Sequence, residues 1–112
     1  MRRNNYGHER MESQILNIIN YTLKNEIYDA YIKQCCFTAV KLSIDGSLAT
    51  VYVDVIDRGK IAQMIEKLNV AKSVFRSGLA HNMNVRKVPD IRFIKDESID
   101  NSLKIDKLLD NI

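Results

Sequence analysis

Two runs of alternating apolar side chains, one on each side of an Asp-Gly step, constrain this chain more than any other feature. In Phe37–Ile44 the residues Val40, Leu42 and Ile44 alternate with polar or small neighbours, and Val51, Val53 and Val55 do the same in Leu48–Val55. A period of two puts every second side chain on one face, the pattern of a strand buried on one side only. Asp45-Gly46-Ser47 between the runs reads as a short turn in which Gly46 can take a positive φ. The pattern predicts an antiparallel hairpin with Val51, Val53 and Val55 buried. A two-stranded hairpin is marginal in water by itself, so the rest of the chain has to cover that face.

The flanking segments have the spacing to do so. Met11, Ile15, Ile18, Ile19, Thr22, Leu23 and Ile27 recur at three- and four-residue steps, predicting an amphipathic helix over Arg10–Ile27. After the hairpin, Ile61, Met64, Ile65 and Leu68 form one helical stripe, and Val74, Phe75, Leu79 and Met83 a second. The stripes lose register around Val70-Ala71-Lys72-Ser73, which predicts two helices joined by a bend. Val88–Ile94 reads as a third strand, with Pro89 acceptable near its start. Ile99, Leu103, Leu108, Leu109 and Ile112 suggest a short C-terminal helix over residues 98–112. The expected order is α-β-β-α-α-β plus a tail helix: one two-layer α+β domain over residues 1–112, with residues 1–9 as a flexible basic N-terminus. At 112 residues the chain suffices for one such core without a metal or disulfide staple.

Several classes of function are disfavoured. No apolar run approaches the roughly 20 residues that span a bilayer, and the charged start lacks a signal-peptide core. The expectation is therefore a soluble cytoplasmic protein with no membrane segment. Cys35 and Cys36 are adjacent, with no Cys-x-x-Cys pair and no nearby histidine, so neither a metal site nor any cofactor is expected. Cys36 and His81 supply the residue types of a nucleophile and base and nothing more. With no Gly-x-x-x-x-Gly-Lys and no His-Glu-x-x-His, the chain does not read as an enzyme.

The net charge of +3 is unevenly spread. Arg2, Arg3 and Arg10 face only Glu9 in the first ten residues. Between residues 71 and 95, Lys72, Arg76, Arg86, Lys87, Arg92 and Lys95 face only Asp90, whereas the stretch after residue 95 is acidic. A basic segment of this density reads as a surface for a polyanion.

The ordered fragments resemble the bacterial ribosome-binding factor A family. Arg10-Met11 followed by Ile15 and Ile18 resembles that family's opening helix, and Glu26-Ile27-Tyr28-Asp29 its close, although Ala30 stands where a proline is usual. Val51-Tyr52-Val53 resembles its second strand. Val88-Pro89-Asp90-Ile91-Arg92-Phe93 followed by Asp96-Glu97-Ser98 resembles its third strand and the Asp-x-Ser after it. The resemblance implies a type II KH-like domain, acting as a monomer and without a cofactor. It also implies binding to the small (30S) ribosomal subunit, with 16S rRNA and neighbouring ribosomal proteins as partners. The role implied is late subunit maturation, including processing at the rRNA 5′ end. Lys72, Arg76, Arg86, Lys87 and Arg92 are then the candidate rRNA contacts, with Arg2, Arg3 and Arg10 as a second set. Tyr6 is expected to pack on the first helix.

Two departures and one absence qualify this reading. Ala71-Lys72-Ser73 stands at the interhelical kink where the family usually has Ala-x-Gly, so the bend is expected to differ. A long charged C-terminal extension is not present in this sequence. The four glycines, Gly7, Gly46, Gly59 and Gly78, cannot form the Gly-x-x-Gly loop by which ordinary KH domains clamp single-stranded RNA. The alternative readings are a protein–protein adaptor using the C-terminal helix, or a KH-like RNA-binding module unconnected with ribosome assembly.

Overall fold

A computed structural model describes residues 3–85 and 87–96, with side chains from His8 onward. The expected tail helix over 98–112 lies outside the described residues. The hairpin is its frame: β1 (Cys35–Leu42) pairs antiparallel with β2 (Leu48–Val55), and β3 (Asp90–Lys95) pairs parallel with β2, in the order β1-β2-β3. A parallel return needs a long crossover, supplied here by α2 (Ile61–Val70) and α3 (Lys72–Asn82). These helices and α1 (Arg3–Asn25) cover one face of the sheet, and no other described element covers the opposite face.

The turn is built by its own side chains. Asp45 accepts from the Ser43 hydroxyl (2.7 Å), the Ser47 hydroxyl (2.8 Å) and the Ser47 N–H (3.1 Å), while Gly46 takes φ +74°. The Ser43 and Ser47 hydrogen bonds push the Asp45 carboxyl down to about 2. Ile44 does not continue the strand as its alternation suggested. It belongs to the turn and is 97% exposed, because the Asp45 side chain closes the loop around it.

β1 also starts earlier than expected, at Cys35, and carries a bulge. Phe37 pairs with Val53 but Ala39 with Tyr52, so Thr38 is an extra residue. The reason lies in packing: Phe37 and Val40 are three apart and both buried, which strict alternation forbids. The bulge turns the Thr38 hydroxyl to donate to Asp96 Oδ2 at 2.6 Å.

α1 begins at Arg3, seven residues ahead of its predicted start, so residues 3–9 are helical where a flexible N-terminus was expected. They lack apolar spacing, so periodicity could not detect them. Polar contacts to the hairpin secure this end: His8 Nε2 donates to Ser43 O (3.1 Å), and Glu12 Oε2 accepts from the Leu42 N–H (2.7 Å). At the other end the Asn25 side-chain amide donates to Tyr21 O at 2.9 Å, and the helix ends at Asn25, two residues before Ile27. Val88 and Pro89, read as strand residues, precede β3; ladder bonding starts at Asp90, whose N–H donates to Ser47 O at 2.9 Å.

The core lies between β2 and the helices. Val51 and Val53 are fully buried, and beneath them Phe37, Phe75 and Phe93 form a triangle with ring centroids 5.3–5.6 Å apart. Edge-to-face and offset contacts at these distances add to the area the rings bury. Replacing Phe93, 2% exposed, by alanine is expected to cost about 3–5 kcal/mol in denaturant unfolding. Arg92→Ala, on the opposite face, should change stability by less than about 0.5 kcal/mol. The turn gives a second expectation. The Asp45 carboxyl titrates below its ordinary value when folded, so its stabilisation is complete above pH 3.8 and is lost as pH falls through about 2. Carboxyl NMR shifts should show that low midpoint, and Asp45→Asn should remove this part of the acid sensitivity.

Candidate nucleic-acid interface

One close approach sets the helix layer. A Cβ built on Gly78 of α3 would lie 2.5 Å from the Thr22 Oγ1 of α1, a hydroxyl that already donates to Ile18 O at 2.9 Å. Only a residue without a side chain allows this contact. Glu26 and Ser73 lie at one end of the α1–α3 groove and Ile18 and Asn82 at the other, so the two helices run antiparallel. The groove holds a cavity of about 580 Å³ lined by Tyr21, Ser77 and His81 among others, and among the described residues no lysine or arginine borders it. His81 Nδ1 donates to Ser77 O at 2.7 Å. Among the described residues the cavity has no cation for a phosphate.

The kink falls where the two stripes lost register. Ala71 (φ −85°, ψ 8°) closes α2 through its N–H to Lys67 O (3.1 Å) and opens α3 by accepting from the Val74 N–H (3.0 Å). The break is one residue wide, with no room for a Gly-x-x-Gly loop. Ser73 lies in the first turn of α3 with its side chain exposed, and among the described residues only Gly46 has a positive φ. The backbone at position 73 therefore makes no demand for glycine.

The candidate cations do not form one patch. Lys72 and Arg76, one turn apart, share a face of α3. Arg76 Nε stands 3.7 Å from Asp90 Oδ1, an exposed pair that solvent screens. Lys87 is exposed ahead of β3. Arg10 is exposed on α1, about 24 Å along that helix from the end beside Ser73. Arg92 projects from the open sheet face, since Ile91 and Phe93 on either side are buried. Arg2 and Arg86 lie outside the described residues, as do the side chains of Arg3 and Tyr6. Lys41 was missed. It is exposed between buried Val40 and half-buried Leu42, a placement the alternation already contained, but its segment carried no net positive charge.

The remaining chemistry is quiet. Burial pushes the Cys35 thiol up to about 12, and partial burial with Asp54 and Asp96 nearby raises that of Cys36. Cys36 is exposed on β1, whereas His81 lines the α1–α3 groove on the helical side, so the two are not brought together.

Antiparallel β1–β2, a crossover of two helices broken at one residue, and a parallel third strand define a KH-like domain without the nucleotide-clamping loop. The family model for ribosome-binding factor A matches residues 7–109. A ribosome-binding factor A from Mycoplasma pneumoniae is 39% identical over 107 residues, covering 96% of this chain and 92% of that protein. The crystal structure of ribosome-binding factor A from Thermus thermophilus superposes with a TM-score of 0.71 at 23% identity, over 79% of this chain and 93% of that one. A homology model of the Thermus thermophilus factor, fitted into a cryo-EM map of a complex with the 30S subunit, superposes at 0.65, with 24% identity over 79% and 93% of the two chains. The chain belongs to the ribosome-binding factor A family.

The α1–α3 contact supplies a test of the helix layer. Gly78→Ala should destabilise the fold by about 1–3 kcal/mol through the clash with Thr22, and Thr22→Ala in the same chain should recover part of that loss. Denaturant midpoints of the two single variants and the double variant check the coupling.

Proposed function

We propose that this chain binds the small ribosomal subunit through 16S rRNA and acts in late maturation of that subunit, including processing at the 5′ end of the rRNA. The family match over residues 7–109 carries this reading, and the related Thermus factor in its 30S complex supports it. The mechanism is selective binding rather than chemistry. A rigid two-layer domain fits one conformation of the rRNA better than others, and its differential affinity shifts the population toward that form. Recognition proceeds by charge and shape, because the kink lacks the loop that clamps unpaired nucleotides. Lys72 and Arg76 on α3 are the contacts best supported by their shared face, with Lys87 and Arg10 as outlying phosphate contacts. The chain acts as a monomer in the cytoplasm, and neighbouring ribosomal proteins complete the binding site.

Sedimentation of cell extract should place the protein with free small subunits and not with 70S ribosomes. In binding assays with purified subunits, neutralising about four to six phosphates should give a log–log salt slope of roughly −3 to −5. Lys72→Glu with Arg76→Glu should weaken binding and flatten that slope while leaving the melting temperature unchanged. Sedimentation with 70S ribosomes alone, or an unchanged slope, would contradict the respective part of the proposal.

A further inference from the structure

The open face of the sheet carries a set of side chains that neither the fold nor the helix layer uses. Strand register places Lys41, Thr50 and Arg92 in one row across β1, β2 and β3, and Ala39, Tyr52 and Ile94 in the next. Residues paired across a register share a face, and each of these six alternates with a side chain packed on the helical side. Neighbouring strands stand about 4.8 Å apart, so the backbones of Lys41 and Arg92 are separated by about 10 Å, with Thr50 between them. Both cations are exposed, and neither has an ion-pair partner among the described residues.

Three described carboxylates border this face: Asp54 is ion-paired with Arg58, Asp96 accepts from the Thr38 hydroxyl, and Asp90, two residues before Arg92, stands 3.7 Å from Arg76. Among the described residues the middle row, Lys41, Thr50 and Arg92, carries two cations and no carboxylate. Tyr52, half-buried between Ala39 and Ile94, puts an aromatic ring one row away. A pair of cations at this spacing, a hydroxyl between them and an adjacent aromatic ring suit a phosphate backbone with an unstacked base beside it. A duplex cannot use the ring, because its bases stay stacked inside.

We propose that the open sheet face is a second RNA-binding surface, which takes an unpaired rRNA strand with phosphates on Lys41 and Arg92 and a base on Tyr52. This rests on the reading of the chain as an rRNA-binding protein and adds a surface separate from α3. It also gives Arg92 a different role from Lys72 and Arg76, with which the sequence had grouped it.

The test uses the full chain, a labelled ten-nucleotide uridine oligomer and a duplex of equal length, with anisotropy titrations at several salt concentrations. The unpaired oligomer should bind more tightly than the duplex. Lys41→Ala with Arg92→Ala should weaken oligomer binding at least tenfold and reduce its salt slope by roughly 1.4, the share of two phosphate contacts on a single strand. Tyr52→Leu, which keeps an apolar side chain but removes the ring, should weaken binding on the order of tenfold and leave the slope unchanged. Lys72→Glu with Arg76→Glu should reduce oligomer affinity less than the Lys41–Arg92 pair does. Thermal melts confirm folding, and because Lys41 and Arg92 are exposed, that pair still tests the surface if Tyr52→Leu unfolds. No oligomer binding by the wild-type chain, equal affinity for the duplex, or full affinity in the folded Lys41–Arg92 variant overturns the proposal. Pelleting with purified 30S subunits separates the two readings. If the wild-type chain pellets and the variants bind oligomer normally, only the second surface is lost; if it does not pellet, the ribosomal reading falls.

Discussion

Three phenylalanine rings, one each from β1, α3 and β3, meet beneath the valines of β2, and the rest of the molecule is arranged so that they can. Phe37, Phe75 and Phe93 come from segments far apart in sequence, so their contact requires the hairpin, the crossover and the parallel return together. Once the triangle closes, the phase of all three strands is decided, because Phe37 pairs with Val53 and Phe93 with Val51. A one-residue slip in either pairing would turn a ring to solvent and bring a charged or polar neighbour inside. The bulge at Thr38 follows from the same demand, since Val40 has to reach the core as well.

Over this core the helices play unequal parts. α2 lays Ile61, Met64 and Leu68 on the sheet, while α3 has to satisfy both the sheet, through Phe75 and Leu79, and α1, through Gly78. A single straight helix could not serve both, and the turn at Ala71 changes direction between the two tasks. Glycine is used where two helices touch and at the tip of the hairpin, not at the kink. Ser73 in place of the family's usual glycine is thus compatible with an ordinary helical backbone.

Most of the architecture was legible because it rests on periodicity. The valines of β2, the stripes of α1, α2 and α3, and the loss of register at Ala71 all follow from spacing. What escaped was decided by polar contacts and pairing between distant segments. Residues 3–9 carry no apolar stripe and are secured by His8 and Glu12 reaching the hairpin, which no local pattern reveals. Ile44 has the right spacing for a strand, but Asp45 takes over the backbone around it. The charged surface was the least legible part. Counting charge along the chain put Arg92 with Lys72 and Arg76, although the sheet separates them, and passed over Lys41, whose partner row is defined only by the pairing of β1 with β2 and β2 with β3.

One of the contacts that hold α1 on the hairpin, Glu12 to the Leu42 N–H, has an effect at the outer edge of β1. An edge strand offers unpaired N–H and C=O groups on which another strand can grow. Here the Leu42 N–H is occupied by the Glu12 carboxylate, and the strand is offset at Thr38. Addition of a foreign strand at β1 would have to displace a charged hydrogen bond and flatten a bulge. This border therefore opposes extension of the sheet by a further strand.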